Sequence, residues 1–156
     1  MNWFRTGGRA EVVFHPEDSD DLSSFLNNLD SDIEVSVLGL GSNTLIRDGG
    51  VSGVVIILGK NFSQISCKKN VLTVGAGAPD IAVSRICQQH SLGGAEFLSG
   101  IPGTIGGAIR MNAGAFGREI SDILVSAVAV DRKGKIRKIK KPDFGFDLQR
   151  PRCFRN

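Results

Sequence analysis

Residues 99–117, SGIPGTIGGAIRMNAGAFG, combine six glycines with no acidic side chain. Glycine lets the main chain reach conformations closed to other residues and lets a ligand approach with no Cβ in between. Successive open N–H groups in such turns form anion-binding concavities, and a short helix opening at Gly103 or Thr104 would add its positive end. Ile101, Ile105, Ala108, Ile109, Met111 and Phe116 are too apolar for a solvated linker. Backbone from Ser99 onward is therefore expected to face a phosphate or pyrophosphate. Two further turns share this character. Gly39-Leu40-Gly41-Ser42-Asn43 follows an apolar run, and Ser42 and Asn43 add side-chain donors; Gly75-Ala76-Gly77 is the other. Neither completes GxGxxG, and no GK[ST] is present, so dinucleotide-binding and triphosphate-loop fingerprints are excluded. Three such turns, if they converge, enclose a long phosphorylated ligand.

The elements that must position these turns read as α/β. AEVVF at 10–14 predicts a strand, stopped by His15-Pro16. Leu22, Phe25, Leu26 and Leu29 form one helical stripe, with Asp18 or Ser19 as its cap. Strands are expected at 35–38, 44–46, 54–58 and 71–74, with a turn at Asp48-Gly49-Gly50. A helix is expected from Pro79, as its first residue, to about His90, which suits a helix end better than catalysis. Its inward face would be Ala82, Val83, Ile86 and Cys87. Beyond the glycine-rich segment, a strand at 123–131 turns through Lys133-Gly134 into a partner at 135–139, giving mixed sheets. A composition break at 58–63 divides the chain into lobes at 1–60 and 61–146.

At 156 residues the chain is long enough for one core or two small lobes, and its 41% hydrophobic and 22% charged composition is that of a globular protein. The longest apolar run, 54–58, falls far short of the roughly 20 residues that cross a bilayer. The N-terminus has no hydrophobic core of a secretion signal. No membrane association and a cytoplasmic location are expected. Cys67, Cys87 and Cys153 are odd in number and widely spaced, and only His15 and His90 could join them, so no disulfide framework and no metal site is expected. The net charge of +3 is modest. KGKIRKIKK at 133–141 lacks interleaved aromatics and reads as a solvated strand, with no nucleic-acid partner.

Three stretches together carry a family resemblance: WFRTGGRAE at 3–11, VLGLGSNTLIRDGGVSGVVI at 37–56 and GIPGTIGGAIRMNAGAFG at 100–117. In them the chain resembles the bacterial UDP-N-acetylenolpyruvoylglucosamine reductases, also called UDP-N-acetylmuramate dehydrogenases, over residues 2–146. The resemblance implies a two-lobed FAD-binding fold of the PCMH or vanillyl-alcohol-oxidase type. It implies that Gly41, Ser42 and Asn43, with backbone from Gly100, Ile101, Pro102 and Gly103, hold the FAD pyrophosphate, and that Gly39 and Ser99 belong to the same cofactor site. Gly106, Gly107, Asn112, Ala113 and Gly114 would line the rest of the cofactor. In this family NADPH reduces the flavin, which then reduces UDP-N-acetylglucosamine enolpyruvate in peptidoglycan precursor synthesis. A monomer is expected.

The family's tyrosine–arginine pair, whose arginine stabilises an enolate-like intermediate, falls on Leu148 and Gln149. Arg150 lies one residue out of register. No catalytic residue is assigned. From 147 to 156 the resemblance is lost, whereas the family continues into a substrate-binding domain with a proton-donating serine and a late glutamate; truncation or a frame change near residue 147 is the expectation, with a genuine short variant as the alternative. Two other readings stay open: a non-catalytic flavin-binding fragment, and the FAD domain of another oxidoreductase of this fold.

Overall fold

A computed structural model describes residues 6–146. Trp3, Phe4, Arg5, Leu148, Gln149, Arg150 and Cys153 lie outside the described residues, as does all of 147–156. The chain opens with β1 (Ala10–Phe14), α1 (Ser19–Asn28), β2 (Val35–Leu38) and β3 (Val51–Ile57). These three strands form a parallel sheet in the order β1-β3-β2. The central β3 is the most apolar and the most buried, as a strand flanked on both edges should be. Asp18 caps α1, its carboxylate accepting from the N–H groups of Asp20 and Asp21. The predicted stripe then packs on the sheet: Leu26 is buried with Val54 and Ile56, and Phe25 stacks on Phe14 with ring centroids 3.9 Å apart.

A second group of elements follows: β4 (Ile65–Lys68), β5 (Val71–Val74), α2 (Asp80–Gln89), a 3₁₀ turn (Glu96–Gly100) and α3 (Ile105–Met111). A short hairpin of β6 (Gly114–Ala115) and β7 (Arg118–Glu119) leads into α4 (Ile120–Ile123). Their core joins Ala78, Val83, Cys87, Phe97, Leu98, Ile105, Ala108 and Ile120. The last hairpin, β8 (Ser126–Val130) and β9 (Ile136–Lys140), is antiparallel and returns to the first group. Val130 joins the first core, Ser23 Oγ donates to Gly134 O, and Arg132 Nη2 donates to Ile33 O at 2.6 Å.

The structure departs from the sequence reading at several places. Residues 44–46 are not a strand; both edges of β3 are already taken, and Leu45 is left 78% exposed. β3 begins at Val51 rather than 54 because Gly53, at φ +69°, makes an irregularity that the Glu11 carboxylate holds by accepting from its N–H. β4 has only Ile65 and Cys67 half-buried, too weak a pattern to show in sequence. Pro79 is the cap of α2, not its first residue. Residue 123 ends a helical turn instead of starting a strand. Glu119 and Asp122 form a reciprocal capping box that opens α4. His90 caps the end of α2, as expected.

Candidate functional site

The three glycine-rich turns do converge. The turn after β2 meets the start of α3 at Gly39, where a Cβ would stand 2.5 Å from Thr104 Oγ1. The turn after β5 meets α3 at Gly106, whose N–H donates to Ala76 O and where a Cβ would stand 3.0 Å from that of Ala76. Pro79 and Thr104 face each other across an isolated antiparallel bridge, with Asp80 N–H donating to Gly103 O and Ile105 N–H to Ala78 O. A cavity of about 390 Å³ opens where they meet. It is lined by Leu40 from the first turn, Pro79 and Ile81 from α2 and its cap, and Ser99, Gly100, Ile101, Pro102 and Gly103.

The residues that adjoin this lining, with Gly103 from the lining itself, carry open backbone donors. Among the described residues, the N–H groups of Gly41, Ser42, Asn43, Gly103, Thr104 and Gly107 have no backbone acceptor. Gly41 sits at φ +67°, in the left-handed region that favours glycine. Unsatisfied donors of this kind suit a polyanion that brings several acceptor oxygens. A pyrophosphate-containing cofactor therefore fits the residues present. The N-terminus of α3 contributes less than its sequence promises. The N–H groups of Ile105 and Gly106 are engaged by Ala78 and Ala76, leaving only Gly107 of its first turn open.

The remaining predicted residues are engaged within the protein. Asn112 ends α3 at φ +45°, is buried, and its Oδ1 accepts from Ser121 N–H at 2.9 Å. Its side chain also bonds Glu119, which, with Ser121 as the larger cause, holds the Glu119 carboxyl below its ordinary range. Ala113 donates to Ala108 O and accepts from Ile120. Gly114 pairs with Glu119 in the β6–β7 hairpin. Phe116, in the turn of that hairpin, is held at φ +55°, and a Cβ on Gly100 would stand 2.8 Å from its ring.

Asp80 carries a signal that its sequence context, an acidic residue opening a helix, does not distinguish from ordinary capping. Its carboxyl is completely buried and neither oxygen has a hydrogen-bond partner. Burial pushes its pKa up to about 7. No group of three His, Cys, Asp or Glu among the described residues could hold a metal ion. No helix there is long and apolar enough to cross a membrane.

A parallel sheet and an α/β companion meet at turns with open N–H groups, an arrangement suited to a phosphorylated ligand, and likeness to known proteins gives the class. The FAD binding domain family matches residues 10–140, and the chain belongs to it. Several curated relatives bear the name of a reductase. The chain is 51% identical over 146 residues to the UDP-N-acetylenolpyruvoylglucosamine reductase of Parvibaculum lavamentivorans, covering 94% of this chain and 47% of that protein. It is 48% identical over 153 residues to the same-named protein of Orientia tsutsugamushi, covering 96% and 50%. The crystal structure of the Thermus caldophilus reductase superposes with a TM-score of 0.74 at 30% identity, over 88% of this chain and 48% of that one. The fold extends to 6-hydroxy-D-nicotine oxidase from Arthrobacter nicotinovorans, with a TM-score of 0.64 at 13% identity over 89% of this chain and 32% of that one. The resemblance read from the three motifs is thus borne out. The chain spans about half the length of the curated relatives it matches.

Proposed function

We propose that the chain serves as the flavin-binding part of an NADPH-dependent UDP-N-acetylenolpyruvoylglucosamine reductase, with UDP-N-acetylglucosamine enolpyruvate as substrate. The observation that carries this reading is the meeting of the 39–43 turn with residues 99–107 around open N–H groups. Gly41, Ser42, Asn43, Gly103, Thr104 and Gly107 would hold the FAD pyrophosphate by backbone donation. Ser99, Gly100, Ile101 and Pro102 would form the apolar wall that excludes water from it. FAD, when bound, supplies hydride transfer between the nicotinamide donor and the enolpyruvyl double bond. In this reading the residues of this chain bind and orient it between the two lobes.

The test is to join the chain to the half of the Parvibaculum relative that it does not span and to load it with FAD. NADPH oxidation is expected only when the enolpyruvyl sugar nucleotide is present. Oxidation that ignores this substrate contradicts the reductase reading.

A further inference from the structure

The buried carboxyl of Asp80 lies directly beneath the cradle. Asp80 is the first residue of α2, and its N–H is tied to Gly103 O at 3.1 Å. Its carboxyl presses on the Cα of Gly103 so closely that a Cβ there would stand 2.7 Å from Oδ2. Gly103 in turn lines the cavity, beside the two residues that flank Asp80, Pro79 and Ile81. A buried carboxylate ordinarily accepts several hydrogen bonds, and this one accepts none. Among the described residues no neighbouring charge replaces them. The elements packed around it carry Arg85 on α2, Glu96 on the 3₁₀ turn and Arg110 on α3, while the turns at 39–46 and 75–78 carry no charged side chain. Burial is what raises its pKa.

We propose that Asp80 belongs to the cofactor site and becomes protonated when an anionic cofactor lies in the cradle, so that FAD uptake takes one proton from solution onto its carboxyl. This rests on the reading of the cradle as an FAD site. An ionised carboxylate and a pyrophosphate on opposite faces of Gly103 repel each other in a site of low polarity, and protonation removes that repulsion. One O–H bond forms on Asp80 and no other bond changes. Because the bound anion raises the carboxyl's pKa further, binding favours the protonated form, and affinity falls as pH rises through the value of the unliganded chain.

FAD titrations of the 156-residue chain, followed by flavin fluorescence at pH about 6 and about 8, test this directly. The Kd of the unaltered chain is expected to rise about tenfold between these values. Asp80→Asn keeps the shape and carries no charge, so its Kd should be the same at both. Calorimetry of the unaltered chain in two buffers of different ionisation enthalpy gives a second readout that needs no variant: close to one proton taken up per FAD at the higher pH. A pH-independent Kd without proton uptake, or a pH dependence that Asp80→Asn shares, overturns the role of Asp80 and leaves the cradle standing. Failure to bind FAD at any pH overturns both.

Discussion

The turn at 39–46, taken as a first wall, and the turns at 75–78 and 99–108, taken as a second, meet at the start of α3, yet their glycines do different work. In the second wall, glycines mostly make room for the protein itself. A Cβ on Gly75 would stand 2.0 Å from Phe62 O, and Gly106 lies against Ala76 with its N–H engaged. In the first wall no hydrogen bond joins the backbone of 40–46 to another described residue, and the donors stay open. Richness in glycine thus marks two properties, close packing and ligand approach, and whether the N–H is engaged separates them. Substitutions that disturb only one property break or sharpen this contrast.

The largest effect is expected at the one buried polar group of the second wall that has no partner. Asp80 has a folded pKa of about 7 against an ordinary value of 3.8, so between those values the folded chain binds more protons than the unfolded one. The charge penalty of its burial is therefore absent at low pH, and stability falls as pH rises through this window, by about 4 kcal/mol in all. Above pH 7 the loss is complete. Glu96, Glu119 and Asp131, whose pKa values are lowered, act at lower pH and with the opposite sign. Asp80→Asn should lose the Asp80 pH dependence in urea melts and exceed the unaltered chain in stability at pH about 8 by several kcal/mol, with the gap narrowing toward pH about 4.

Gly75→Ala comes next. Its Cβ meets backbone rather than a flexible side-chain end, so about 3 kcal/mol of stability should be lost, lowering Tm by roughly 6–12 °C. Asn112→Ala should cost about 2 kcal/mol, through the left-handed cap and the lost bond to Ser121. In both variants the chain that remains folded should keep its FAD affinity. Gly107→Ala is expected to reverse the pattern. Its nearest neighbour, Thr104 Oγ1, lies at an ordinary 3.6 Å, so a helical alanine should stabilise by about 0.5–1 kcal/mol. If Gly107 N–H faces the pyrophosphate, the same change should weaken FAD binding several-fold, read by fluorescence titration.

Much of the frame was legible because its signals are local. The stripe of α1 with Asp18 at its head, the run of β2 and the strand β5 all fall where the sequence places them. Elements fixed by distant partners were not: the bulge at Gly53 depends on Glu11, and the helical turn α4 is secured by Asn112 from nine residues away. The site divides in the same way. Residues 99–103 line the cavity, and the sequence marks them by composition alone. That the N–H of Gly106 belongs to Ala76, and that the Asp80 carboxyl finds no donor, are facts of tertiary contact with no trace in local spacing.

In the proposed site the convergent turns recognise the pyrophosphate rather than the flavin ring alone. Titrating the chain with FAD and, separately, with riboflavin, which lacks phosphates, measures this most directly. One FAD is expected to bind per chain, with riboflavin at least about 100-fold weaker, as several charge-assisted N–H bonds would give. Equal affinities for the two, or no binding of FAD, would contradict the cradle.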